Sequence, residues 1–159
     1  MIFGIGCDVC ALDHLEKSLS GPHAAAFVRR VYGPAECTAL ALDTPLPAGH
    51  SGAHRLASAA ADFAAKEAFL KAWCAAISRH AKDGAEVAYP YTLDNFPWVR
   101  IEILDDSHGV PRVILSSEVQ RKVQQSLGLP LDPVRQSYDI SISISHDGPI
   151  ASAVVMLEI

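Results

Sequence analysis

The stretch DFAAKEAFLKAWC, residues 62–74, is where the fold is decided. Ala, Glu, Lys and Leu are strong helix formers, so it reads as a helix. Lys66, Glu67 and Lys71 interrupt an otherwise apolar, alanine-rich run. Phe63, Glu67, Leu70, Lys71 and Cys74 fall at i, i+4, i+7, i+8 and i+11, which is one face. That face should be buried, and buried charges are costly unless paired or bound to a metal. The simplest reading is a Glu67–Lys71 pair on a partly exposed helix, worth a few tenths of a kcal/mol. Lys66 points elsewhere, one turn from Asp62, where a structural pair is expected.

Two further segments point beyond that reading. MIFGIGCDV, residues 1–9, has the run of apolar and glycine residues of a strand, without charge until Asp8. On a period of two, Ile2, Gly4, Gly6 and Asp8 share one face and Phe3, Ile5, Cys7 and Val9 the other. Asp is depleted in strands, so Asp8 breaks a local rule, as functional residues tend to do. Capping of the following helical segment is the alternative. At the other end, Tyr138, Ile140, Ile142, Ile144 and His146 alternate with Asp139, Ser141, Ser143 and Ser145, the pattern of a half-buried strand. Asp147-Gly148 signals a turn, and residues 150–159 read as the returning strand. His146 ends the apolar face, where a structural role is the usual one.

The 159 residues suggest one domain, 1–159, and the 50% hydrophobic content supplies a core. No run reaches about 18 apolar residues, so no membrane span is expected. Neither is a signal peptide, since no basic segment precedes the short first apolar run. The net charge of −5 argues against nucleic acid as a partner. Cys7-x-x-Cys10 invites a zinc or thiol redox reading. Strand residues three apart point to opposite faces, and no second CxxC or His pair accompanies them. The four cysteines are read as reduced cytoplasmic thiols.

Helices are expected over residues 11–19, 23–31 and 35–42, a loop over 43–53, and the long helix from about 55 to about 80. The aperiodic connection 82–97 is of a length that is usually functional or mobile. Strands follow at 99–104 and 112–115, with Pro111 at a first or edge position. Ser117 and Gln120 form a capping box for a helix that ends near Gly128. Strands, helices and a closing antiparallel pair make the class α+β.

GIGCD with Asp8, AAKEAFLKA with Lys66, Glu67 and Lys71, and SISHD with Ser145 and His146 occur in that order. Together they resemble the holo-acyl-carrier-protein synthases, the small 4'-phosphopantetheinyl transferases; the KAW after Lys71 is most similar to actinobacterial members. FVRRVYGPAE (27–36) and FPWVRIEILDDSHGVPRVIL (96–115) resemble two further segments of that family. The resemblance implies a long central helix on a small antiparallel sheet, and a homotrimer with active sites between subunits. It implies transfer of the 4'-phosphopantetheine arm of coenzyme A to a serine of an apo carrier protein or carrier domain. Adenosine 3',5'-bisphosphate would be released.

Mg²⁺ keeps most of its water and takes one or two carboxylates plus substrate phosphates. Asp8 and Glu67 fit that need, and the resemblance implies that they meet. Glu67, directly or through a water on the metal, is the base for the serine hydroxyl. Lys71 holds a phosphate oxygen as a point charge, the alternative being its pair with Glu67. Ser145 and His146 resemble nucleotide-contacting residues, and Gly109, Pro111 and Arg112 resemble the segment beside the adenine. Arg29 and Arg30, facing different ways on one helix, are candidates for docking an acidic carrier.

The chain departs from the family pattern in several places, one being Ala72-Trp73-Cys74-Ala75-Ala76 in place of the glycine-rich turn common after Lys71, so the helix is expected to run on. Ala11 and His14 stand where Glu and Arg are common, which leaves His14 as the carrier-docking candidate. Asp62 replaces an arginine four residues before Lys66. These departures keep alive a second reading, a non-catalytic coenzyme A-binding or scaffolding subunit of a fatty-acid or polyketide synthase.

Overall fold

The computed structural model describes residues 1–81, 88–92, 94–131 and 137–159. In chain order the elements are β1 (Ile2–Ala11), α1 (Leu12–Ser20), α2 (Ala24–Val31), α3 (Pro34–Ala39) and α4 (His50–His80). After a 3-10 turn at Trp98–Arg100 come β2 (Ile101–Asp105), β3 (Pro111–Leu115), α5 (Ser117–Ser126), β4 (Asp139–Asp147) and β5 (Ile150–Glu158). The class is α+β, as expected.

One sheet is antiparallel in the order β1-β5-β4, and β2-β3 form a separate hairpin. Register follows the alternation of the strands. Asp8 lies opposite Ala153, and Ala153 opposite Ile144. The next row is Cys10, Ala151 and His146. The inner face carries Ala151, Ala153, Val155 and Leu157, all buried, and it packs on α4.

The approach is close because β1 contributes almost no side chain to it. A Cβ at Gly4 would lie 2.0 Å from the Ala72 carbonyl oxygen, and one at Gly6 2.0 Å from the Ala68 carbonyl oxygen. Main chain therefore rests on main chain. Helix α4 is buried nearly all round, through Ala64, Ala65, Ala68, Phe69, Ala72 and Trp73. Its other flank meets β2, where Ile101 and Ile103 are buried, and the Trp73 indole donates to the Ser126 hydroxyl of α5 at 2.8 Å. On the outer face of the sheet Ile5, Val9, Ile150 and Val154 are 54%, 60%, 45% and 43% exposed, beside the row of serines Ser141, Ser143 and Ser145.

Several boundaries differ from expectation. α4 begins at His50 rather than near 55, because Gly52 is not a breaker: the Pro47 carbonyl lies where its Cβ would be, at 1.7 Å. α3 stops at Ala39, and Ala41 turns to a φ of 49°. Val99 belongs to the 3-10 turn, so β2 starts two residues later. Ser116, not Ser117, caps α5 by accepting from the Val119 amide, while Gln120 donates to the Leu115 carbonyl. Of the connection 82–97, residues 82–87 and 93 lie outside the described residues. No helix among the described residues is long and apolar enough to cross a membrane.

Candidate active site

Contact between β1 and α4 places the charged groups. Gly6 touches the Ala68 carbonyl, one residue beyond Glu67, and the position of its missing Cβ is 2.8 Å from the Lys71 Cβ. Asp8, one step further along the same face of β1, thus arrives beside both residues. The Lys71 ammonium donates to Asp8 Oδ1 at 2.5 Å and to the Cys7 carbonyl at 3.2 Å. Its side chain is 52% exposed and that of Asp8 12%. Lys71 therefore pairs across to Asp8, and the local helix pair with Glu67 is not the contact that holds it. The hydrogen bond to Asp8 raises the Lys71 pKa.

Asp8 and Glu67 do meet. Burial raises the Glu67 carboxyl, and the Asp8 charge and a hydrogen bond with Asp8 raise it further; Lys71 opposes this. Two carboxylates brought together from separate elements repel until a proton or a cation is shared between them. They open on a cleft of about 360 Å³ lined also by Cys10, His14, Phe27 and Phe63. Phe63 stacks on Trp98, with centroids 6.1 Å apart, which fixes the cleft wall. Phe27 and Phe63 were not among the sequence candidates; the basic-aromatic character of residues 27–36 was the available signal.

The remaining candidates are not gathered here within one chain. Ser145 and His146 are exposed at the end of β4, two strands from β1, where the His146 ring lies 6.3 Å from that of His54. Gly109, Pro111 and Arg112 belong to the β2–β3 hairpin, and Arg112 pairs with Asp106 at 3.1 Å. Arg29 and Arg30 are exposed on α2, and Arg29 borders a second groove of about 730 Å³. The cysteine pair does not converge. Cys7 is exposed on the outer face, while Cys10 is buried on the inner face with its thiol pushed up to about 11 by burial, Asp8 and Glu67. A reactive thiol needs the opposite shift.

Lys66 corrects an expectation. Its ammonium is fully buried and pairs with Glu36 Oε2 at 2.6 Å, not with Asp62. It also donates to the Val31 carbonyl at 2.5 Å and the Trp98 carbonyl at 3.1 Å. Glu36 accepts in addition from the Gly33 and Ile103 amides, at 2.8 and 2.9 Å. Burial pushes Glu36 up and Lys66 down, and each opposes the shift of the other.

A sequence model of the 4'-phosphopantetheinyl transferase superfamily matches residues 4–143. The chain belongs to that superfamily. Among its curated members, the holo-[acyl-carrier-protein] synthase of Bifidobacterium adolescentis is 68% identical over 158 residues, 99% of this chain and 100% of the relative. That of Bifidobacterium animalis subsp. lactis is 35% identical over 159 residues, 99% and 98% of the two chains. A solved ACPS-CoA complex of Chronobacterium ammoniagenes superposes with a TM-score of 0.68 at 28% identity, covering 98% of this chain and 96% of that one. Against the pattern of these transferases, His14 lies in the wall of the cleft itself. Asp62 faces the Glu36–Lys66 pair, and burial, Glu36 and Asp105 push its carboxyl up to about 8 against the pull of Lys66.

Proposed function

We propose that this chain transfers the 4'-phosphopantetheine arm of coenzyme A to a serine hydroxyl of an apo acyl carrier protein, at the Asp8–Glu67–Lys71 cleft. The meeting of Asp8 and Glu67, with the Lys71 ammonium at their rim, carries the reading. The 68% identical relative named holo-[acyl-carrier-protein] synthase supports it.

The donor set suits a magnesium ion: two carboxylates, an open cleft and room for phosphate oxygens. Asp8 and Glu67 would hold the ion, which when bound would neutralise charge on the pyrophosphate of coenzyme A. Glu67, with its raised pKa, would accept the serine proton. The serine oxygen would form a bond to the phosphorus that carries the pantetheine arm. The bond from that phosphorus to the nucleotide oxygen would break, releasing adenosine 3',5'-bisphosphate. Lys71 uses two of its three N–H groups on Asp8 and Cys7, which leaves one for a phosphate oxygen. His14, Arg29 and Arg30 are the surface we assign to the carrier.

The reading includes a cytoplasmic homotrimer. The uncovered patch of Ile5, Val9, Ile150 and Val154 is the kind of surface that a second copy covers. Ser145, His146 and the Gly109–Arg112 turn, distant from Asp8 within one chain, would complete the cleft of a neighbouring subunit with coenzyme A contacts. Light scattering should give three times the chain mass; a monomer at assay concentration rejects this part.

The deciding experiment incubates the protein with coenzyme A, Mg²⁺ and a panel of apo carriers, followed by intact mass. A phosphopantetheine-sized increase that chelation abolishes is expected. No increase on any carrier, with coenzyme A still bound, favours the scaffolding subunit instead.

A further inference from the structure

Glu67 stands next in sequence to Lys66, and consecutive helix residues are about 100° apart around the axis. Whatever fixes the rotation of the helix at one of them fixes the direction in which the other leaves the backbone. The Lys66 ammonium is held by three acceptors from three elements: Val31 at the end of α2, Glu36 in α3 and Trp98 in the 3-10 turn. Glu36 is tied in turn to β2 through the Ile103 amide. The α3 turn is tied to β2 a second time, through the bond from the Ala35 amide to Glu102. The Tyr32 hydroxyl donates to the Ala59 carbonyl, two turns earlier on α4, and the Lys66 ammonium lies 5.4 Å from the Tyr32 ring centre.

On the opposite flank α4 rests on the inner face of the sheet, where β1 meets it through main chain at Gly4 and Gly6 and β5 through Ala151, Ala153, Val155 and Leu157. The β1 contact, the one beside Asp8, sets the separation of strand and helix, but having no side chain of its own it resists rotation of the helix weakly. A glutamate carboxylate sits about 6 Å from the helix axis, so a turn of about 10° moves it by about 1 Å. A displacement of about 1 Å at a reacting group can cost about a hundredfold in rate.

We propose that Lys66 is a positioning residue for Glu67: its buried pair with Glu36 sets the rotation of α4 that brings Glu67 to Asp8. The inference rests on Asp8 and Glu67 being the metal-holding pair. The pair itself is sealed from the cleft, with both side chains fully buried, so it touches neither substrate nor metal.

The test uses the full chain loaded with coenzyme A and titrated with Mn²⁺, free Mn²⁺ being read by electron paramagnetic resonance. The Mg²⁺ half-saturation of turnover is read in parallel. The variant Lys66→Met/Glu36→Met removes both charges at similar volume. It should weaken Mn²⁺ binding by about tenfold or more, the scale of losing support behind a metal ligand. Glu36→Gln, which keeps volume and an oxygen for Lys66, should weaken it in the same sense by roughly threefold, below that scale. A remote core change in α5, Val123→Ala, should lower the melting temperature and leave the Mn²⁺ affinity unchanged, since destabilisation removes active protein without moving a binding constant.

If the double variant folds and binds Mn²⁺ within twofold of the parent, the proposal is overturned. If the double variant does not fold, Glu36→Gln decides by the same criterion. Asp8→Asn and Glu67→Gln distinguish the two levels. Should they bind Mn²⁺ like the parent, the site reading itself fails. Should they lose binding while the Lys66 and Glu36 variants keep it, only the positioning role fails.

Discussion

Lys66 and Glu67 are neighbours in sequence, yet they sit in opposite kinds of charge cluster. Around Lys66 the positive charge has a carboxylate and two carbonyls, the carboxylate has two amides besides, and both side chains are fully buried. Around Glu67 there are two carboxylates and one half-exposed cation, beside an open cleft. A satisfied cluster is architecture. A cluster with surplus negative charge and free volume is suited to receive a cation and a phosphate. Adjacent residues of one helix divide the two tasks because they point about 100° apart.

The largest test of this contrast is Asp8→Ala or Glu67→Ala. Each should lower turnover by about a thousandfold, a loss of about 4 kcal/mol of transition-state stabilisation, with the melting temperature held. Steady-state rates beside circular dichroism check this, and retained Mg²⁺-dependent turnover would break the contrast. Lys66→Met adds a loss of stability that the carboxylate variants lack: stranding the Glu36 charge in the core should cost about 3–5 kcal/mol in urea unfolding, with the Mg²⁺ requirement raised as well. Lys71→Met, at a half-exposed pair, should cost no more than about 1 kcal/mol and still lower turnover. Equal losses for the two lysines would erase the distinction. Gly6→Ala forces a methyl against the Ala68 carbonyl and should destabilise by about 1–3 kcal/mol while also raising the Mg²⁺ requirement.

The smallest effect concerns Asp62. Its folded-state pKa of about 8 lies above the value of 3.8 for a free side chain, so the folded protein binds a proton that the unfolded chain releases. Its contribution is full below pH 3.8 and is lost as pH rises toward 8. Asp62→Asn should therefore raise the melting temperature at pH 8 by roughly 2–4 °C, and by less at pH 5. An equal change at both values would mean that Asp62 is ionised throughout.

The fold was legible where side chains alternate with high contrast. Ile140, Ile142 and Ile144 against Ser141, Ser143 and Ser145 predict β4 without ambiguity, and Asp8 announces itself by breaking a strand pattern. α4 was harder. Its buried surface is mostly alanine, which offers little contrast between inside and outside, so the face of Phe63, Glu67 and Lys71 reads as the core although it borders the cleft. The partner of Lys66 was hidden for another reason. Spacing along a helix offers Asp62, whereas Glu36 is 30 residues away and reaches Lys66 only through the packing of α3. The meeting of Asp8 with Glu67 was implied by family pattern. Its physical cause, main chain resting on main chain at Gly4 and Gly6, emerges only in three dimensions.

That contact bears on how the sequence can drift. No side chain lies between the β1 and α4 backbones at Gly6, so the span from Asp8 to Glu67 does not depend on the size of any residue there. Substitutions in α5 can accumulate in a lineage, each spending some stability, without dragging the reaction centre with them. The latitude ends at the two glycines, where the smallest enlargement pushes strand and helix apart, and at the Lys66–Glu36 pair with its ties to β2. Divergent descendants would thus differ widely around the rim and in partner choice, while sharing a centre whose dimensions are inherited from the polypeptide backbone.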